Sequence, residues 1–318
     1  DTDTEVLVNL IEEVQKKEKL RLGKAVQVAL NQVFGAYAIA VFDKKNPDEI
    51  VAARLGSPLA IGVGEGEYFI ASDASPFIEY TSNAIYLEDG EMANIRLHKP
   101  MKIRKIKDDT LVDPYIQELQ MNLEQIEKGG YDHFMLKEIF DQPKAIADTL
   151  IGRLSDNNQI LLDELHMSDD QIRDIKRISV IACGTAYHAG MVAKYAIEKW
   201  AKVPVDVEIA SEYRYRDPII DKDSLVIAIS QSGETMDLLM AVRHAKAAGA
   251  RVLAVCNTNS STIPRESDAV LYTHAGPEIA VASTKAFLTQ IVAVYLIGLK
   301  LAQVRGTLDE KQVRGLYN

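Results

Sequence analysis

From residue 178 onward the chain alternates short apolar runs with longer helical ones, and this alternation most narrows the folds open to it. Ile178-Ser179-Val180-Ile181-Ala182 reads as a buried strand, 189–200 as a helix and 203–209 as a strand. Residues 225–229 read as a strand, 235–248 as a helix closed by Gly249, 251–255 and 269–272 as strands, and 283–302 as a long apolar helix. Strands that are apolar at nearly every position need cover on both faces. The pattern therefore predicts an α/β domain with a parallel sheet and helices on both sides.

The first third of the chain has a different rhythm. Val6, Leu10, Ile11 and Val14, then Leu22, Ala25, Val26 and Leu30, fall at helical spacing on either side of the charged stretch Lys16-Lys17-Glu18-Lys19, which predicts two amphipathic helices. Short β-rich runs follow at 36–42, 50–53, 59–63, 68–71, 84–87 and 91–95. Turn residues such as Asn46-Pro47-Asp48 and Gly64-Glu65-Gly66-Glu67 separate them, as in antiparallel hairpins. The expectation is an α+β domain over 1–113, a connector with lead-in helices over 114–168, the α/β domain over 169–308, and a further connector from 309. Within the connector, a docking segment ends at Pro143 and a helix covers 144–154. A length of 318 residues suits two domains, since one usually takes about 100–200.

Composition excludes several classes. With 47% hydrophobic and 26% charged residues the chain is neither disordered nor membrane-like, and no run approaches the roughly 18 uninterrupted apolar residues of a membrane span. A net charge of −10 argues against nucleic acid, whose binding rests on Lys and Arg neutralising phosphates. Two cysteines, Cys183 and Cys256, and scattered histidines supply neither a disulfide framework nor a metal set. The opening Asp1-Thr2-Asp3-Thr4-Glu5 has no signal-peptide character, which makes the cytoplasm the expected address.

Three loops fall at the carboxyl ends of predicted parallel strands, where ligands bind such sheets. Ser230-Gln231-Ser232-Gly233-Glu234-Thr235 offers three hydroxyls, a glycine for a tight turn and free N–H groups at a helix start. That is a cradle for a phosphate, and it exceeds the single hydroxyl an N-cap needs. Cys183-Gly184-Thr185-Ala186 holds the equivalent place one strand earlier; Cys183 reads as a small packed residue rather than a nucleophile assisted by His188, and Thr185 as a hydrogen-bonding partner of a polar ligand. The segment Gly276-Pro277-Glu278-Ile279-Ala280-Val281-Ala282-Ser283-Thr284-Lys285 forms a facing wall, with Ser283 or Thr284 as N-cap and Lys285 as either a solvated first-turn lysine or part of that wall. Arg214 and Arg216 read as surface or interface groups.

Taken together, Ala182-Cys183-Gly184-Thr185, the 230–235 loop and Gly276-Pro277-Glu278 through Ala282-Ser283-Thr284-Lys285-Ala286-Phe287 resemble the first sugar-isomerase (SIS) domain of the glutamine:fructose-6-phosphate aminotransferase family. Phe134-Met135-Leu136-Lys137-Glu138-Ile139 and Gln142-Pro143 are similar to the family's interdomain segment. Gly35-Ala36-Tyr37, Arg54-Leu55-Gly56-Ser57-Pro58-Leu59 and Phe69-Ile70-Ala71-Ser72-Asp73 are similar to the second half of its glutaminase domain, an N-terminal-nucleophile fold. The resemblance implies fructose 6-phosphate or glucosamine 6-phosphate as ligand, with Ser230, Gln231, Ser232 and Thr235 on the phosphate and Thr185, Val281 and Ser283 on the sugar. It implies glutamine as second substrate of the full-length enzyme, with Asp3 taking its α-amino group, no metal or organic cofactor, and homodimerisation through the SIS domains. The family generally carries serine where this chain has Ala186. Its nucleophilic cysteine and its second SIS domain find no counterpart in these residues, so the expectation is an internal fragment, inactive when isolated, of an enzyme of amino-sugar synthesis. A noncatalytic sugar-phosphate-binding or regulatory SIS module is the other reading.

Overall fold

Val51 and Ala53 lie in one apolar cluster and Ala52 in another, yet all three are fully buried. A strand in that position has protein on both faces, and it organises the first of two units, residues 1–123 and 124–318, in a computed structural model that describes residues 2–74, 76–96, 99–119, 127–259 and 261–318. Helices α1 (Asp3–Glu18) and α2 (Leu22–Leu30) lead the unit. The strands are β1 (Tyr37–Asp43), β2 (Asn46–Leu55), β3 (Ala60–Val63), β4 (Tyr68–Ala71), β5 (Asn83–Tyr86), β6 (Glu91–Arg96), β7 (Lys99–Lys105), β8 (Leu111–Val112) and β9 (Gln117–Glu118). They form two antiparallel sheets, ordered β1-β2-β6-β7-β8 and β4-β3-β5-β9. One face of the first sheet packs on Ile11, Val14, Leu22, Ala25 and Val26 of the helices. Its other face meets the second sheet through Ala52, Ala93 and Ile103 against Leu59, Ile61 and Ile85.

Two local expectations change here. Asn46-Pro47-Asp48 is not a turn: the hairpin reverses at 44–45 and β2 starts at Asn46, paired with Asp43 across a register shift. Pro47 is tolerated because it stands at the start of a strand, where a missing N–H costs little. The lysine-rich β7 carries apolar residues at only two alternate positions, Met101 and the buried Ile103, too short an alternation to announce a strand.

The second unit begins with α3 (Phe134–Leu150) and α4 (Asp169–Asp174). Then follow β10 (Arg177–Ala182), α5 (Gly184–Ala201), β11 (Val205–Ile209), α6 (Ala210–Tyr215), β12 (Ser224–Ser230) and α7 (Met236–Ala247). The series closes with β13 (Arg251–Cys256), α8 (Thr262–Glu266), β14 (Ala269–Tyr272), α9 (Lys285–Arg305) and α10 (Glu310–Tyr317). The sheet is parallel, ordered β11-β10-β12-β13-β14. Its central strand β12 is buried throughout. Leu225, Ile227 and Ile229 pack with α5 and α9, while Val226 and Ala228 pack with α6 and α7, so the period-two alternation is present but both sides of it are apolar.

Helix α9 is long and apolar enough to cross a membrane by composition, yet 56% of its most apolar window is buried inside this unit. It is the core helix against which α5 packs. Helix α3 departs from expectation: 134–150 is one helix that passes through Pro143 rather than a docking segment followed by a helix at 144–154. A proline inside a helix removes one i to i−4 bond at a cost of about 3 kcal/mol, which the packing of α3 along α9 offsets.

Candidate functional site at the carboxyl edge of the parallel sheet

The chain lays β10 first, places β11 on one side of it and then β12 on the other. Strand order therefore reverses between β10 and β12, which is where doubly wound sheets open a crevice at their carboxyl ends. Register pairs Ala182 with Ile229 and Ser230 with Cys256, so the loops after β10, β12 and β13 leave the sheet side by side.

After β12 the loop turns on its own serines. Ser230, 3% exposed, accepts the N–H of Gly233 at Oγ (2.9 Å), and Ser232 Oγ accepts that of Glu234 (3.3 Å). Each bond occupies an oxygen lone pair and leaves the hydroxyl proton able to donate to an anion. Gly233 has φ +68°, and a β-carbon there would meet Ser261 and Cys256. Thr235 is the N-cap of α7 but makes no side-chain cap bond, so the first-turn N–H groups keep their donors. The carboxylate of Glu234 turns away to α8, where it accepts the N–H (2.8 Å) and hydroxyl (3.0 Å) of Thr262. The Gln231 carbonyl accepts the N–H groups of Asn257 (3.3 Å) and Thr258 (3.2 Å).

After β10, Cys183 is the N-cap of α5, again without a side-chain cap bond, and Thr185 is exposed in the first turn. Two uncapped helix starts thus flank the strand-order reversal, and their partial positive charge favours a bound anion. Burial raises the Cys183 thiol pKa, with a backbone bond from Ala210 opposing it, and burial pushes Cys256 up to about 11. Both sulfurs are held as thiols, which suits packing rather than nucleophilic attack. Ala186 is buried in the apolar cluster beneath α5 and α9.

Beyond β14 the backbone amides are taken up by side chains. Asn257 Oδ1 accepts from Ala275 N (2.8 Å) and the Thr273 hydroxyl (2.9 Å), and its Nδ2 donates to the Gly276 carbonyl (2.8 Å). Glu138 Oε1, on α3, accepts from Ile279 N (2.6 Å) and Ala280 N (3.1 Å). Glu278 Oε1 accepts from Thr284 N (2.8 Å) and Ala286 N (3.1 Å), while its Oε2 accepts the Ser283 hydroxyl (2.9 Å). Glu278 is thus the cap of α9, which begins at Lys285 rather than at 283, and neither Ser283 nor Thr284 caps it with a side chain. A helix start already filled by a carboxylate does not offer itself to a phosphate, in contrast with α5 and α7. Lys285 is not solvated: it is 4% exposed and its Nζ pairs with Asp141 at 3.2 Å. Val281 at the tip is fully exposed.

The structure therefore sets Ser230, Gln231, Ser232 and Thr235 on the loop beside that of Thr185, and Val281 and Ser283 on the loop tied to it through Asn257. Asp3 belongs to the other unit, where it opens α1, is exposed and accepts the N–H of Thr4 at 2.8 Å. Sequence reasoning missed Glu138 and Asn257. The polar groups they serve lie up to 142 positions away, and no local spacing signals such a pairing.

Arg216 pairs with Glu208 and Arg214 stacks on Tyr215.

A parallel sheet with two uncapped helix starts at its strand-order reversal defines an α/β domain with an anion-favouring edge, and the SIS domain family model matches residues 171–300; this region is a SIS domain. Over nearly its whole length the chain is a homologue of the isomerising glutamine–fructose-6-phosphate aminotransferases. It is 52% identical over 307 residues to that of Streptomyces coelicolor, covering 96% of this chain and 49% of the relative. The corresponding protein of Bacteroides thetaiotaomicron is 49% identical over 312 residues, covering 98% of this chain and 51% of its own. Among solved structures, the C-terminal domain of glucosamine-fructose-6-phosphate aminotransferase from Francisella tularensis superposes with a TM-score of 0.57 at 45% identity, over 60% of this chain and 54% of that one. The chain spans about half the length of the curated relatives it matches.

Proposed function

We propose that this chain supplies the sugar-phosphate site of an enzyme that moves the amide nitrogen of glutamine onto fructose 6-phosphate, giving glucosamine 6-phosphate and glutamate. The observation that carries the reading is the pair of uncapped helix starts flanking the strand-order reversal, in a chain about half identical to such aminotransferases. In this reading Ser230, Gln231, Ser232 and Thr235 hold the phosphate with first-turn N–H groups of α7, and Thr185, Val281 and Ser283 line the sugar. The phosphate serves as a handle: charge-assisted bonds fix one end of the ligand while its carbonyl end stays free to react. The domain plan of the reading is a glutaminase half over 1–113, a connector over 114–168 and a SIS domain over 169–308. The first unit, with its helices on paired antiparallel sheets, is then part of an N-terminal-nucleophile glutaminase, and Asp3 receives the α-amino group of glutamine. Homodimerisation through the SIS domains and a cytoplasmic address complete it.

Calorimetric titration tests the site. Fructose 6-phosphate binds and fructose does not, and Ser232→Ala loses one bond to a charged ligand, about ten- to a hundredfold in affinity. Thr235→Asp loses more, because it puts a like charge in the cradle. Equal binding of the phosphorylated and free sugar, or a Ser232→Ala protein that binds like the parent, removes the reading.

A further inference from the structure

The loop over 273–285 is shaped from below by one helix. Glu138, Asp141, Ala145 and Thr149 of α3 are spaced by three, four and four residues and form a single stripe. Thr149 Oγ1 donates to the Thr273 carbonyl at the start of the loop (2.5 Å), Glu138 takes the two amides in its middle, and Asp141 pairs with Lys285 at its end. Ala145, buried between them, lets helix and loop approach. Glu138 is 2% exposed, and its second oxygen, Oε2, is buried without a partner among the described residues. Desolvating a carboxylate is unfavourable, so a carboxyl group in this place is a specific solution for two backbone donors that would otherwise be orphaned.

We propose that this stripe is a template for the sugar-facing wall and that Glu138 is a positioning residue: it sets the course of 279–280 and so the placing of Val281 and Ser283. The inference rests on the reading of 276–284 as the sugar wall and separates from the phosphate cradle, which α3 does not hold. It therefore predicts a split between two probes, fructose 6-phosphate and inorganic phosphate, titrated calorimetrically into the whole chain.

Glu138→Ala weakens fructose 6-phosphate by about tenfold or more while inorganic phosphate stays within about twofold of the parent, because only the wall is displaced. Glu138→Gln keeps an oxygen that accepts both amides and recovers most of the lost affinity. Should Glu138→Ala fail to fold, Glu138→Asp, which shortens the reach by one methylene, shows the same split in smaller measure. Affinity for fructose 6-phosphate unchanged in Glu138→Ala or Glu138→Asp, parallel loss of both probes, or a Glu138→Gln protein as weak as Glu138→Ala overturns the template. A parent that binds neither probe instead overturns the phosphate reading on which it stands.

Discussion

Gly233 and Ser261 approach so closely that a β-carbon on the glycine would fall 2.0 Å from the serine hydroxyl oxygen, with the Cys256 sulfur 2.9 Å away. The same glycine has φ +68°, so Gly233→Ala meets two penalties at once. Left-handed backbone costs a side chain about 1–2 kcal/mol and overpacking about 1–3 kcal/mol, giving a loss of about 2–5 kcal/mol in urea unfolding. Adding Ser261→Gly relieves the contact with the serine but neither that with the Cys256 sulfur nor the dihedral, so the double variant recovers part of the loss. Full recovery would assign the whole cost to the clash, and no loss in the single variant would show that the loop has another conformation of equal energy.

The thiols are predicted to be slow. Because burial raises both pKa values, that of Cys256 to about 11, the thiolate fraction at neutral pH is small. Titration with a disulfide reagent labels Cys183 sluggishly, faster as pH rises, and Cys256 only on unfolding. Cys183→Ser keeps fructose 6-phosphate affinity within about twofold of the parent. Rapid labelling of Cys183 at pH 7 would give that residue a chemical role.

His274 gives stability a pH dependence. Burial, and then the charge of Arg153, lower its pKa, while Glu164 and Asp148 pull the other way. The unfolded chain takes up this proton near pH 6.5 and the folded one only below that, so the contribution is present above about pH 6.5 and is lost as pH falls through the folded value. His274 has φ +53°, a conformation asparagine tolerates. The urea midpoint of the parent should drop more between pH 7 and pH 5 than that of His274→Asn; equal slopes would remove the assignment.

How much of this was legible follows from the range over which each feature is written. The strands β12 and β13 are readable because burial on both faces leaves an unbroken apolar run, such as Leu225-Val226-Ile227-Ala228-Ile229. The loop after β12 was readable because its hydroxyls and glycine are consecutive. β7 was not, since Lys99, Lys102, Arg104 and Lys105 hide the buried Ile103, and α3 was not, since Pro143 argues locally for a break that packing overrides. The local sequence around Lys285 does not decide between solvent and wall, because its burial depends on Asp141, 144 positions earlier. Residues that hold a loop in shape are written far from it, whereas the residues proposed to touch a ligand cluster within the loops themselves.

Asn257 is the keystone of the sheet's carboxyl edge. Its main-chain N–H reaches back to Gln231 and its side chain reaches forward to Thr273, Ala275 and Gly276, so three consecutive loops are fastened in series by one short amide. An edge fastened in this way is stiff before anything arrives. A ligand meets a preorganised surface and loses less freedom in ordering it, which favours affinity for a molecule of the right length. In the proposed sugar site the same fastening would oppose reshaping around a longer or shorter sugar, so selectivity would come from the cost of bending the protein as much as from the contacts it makes.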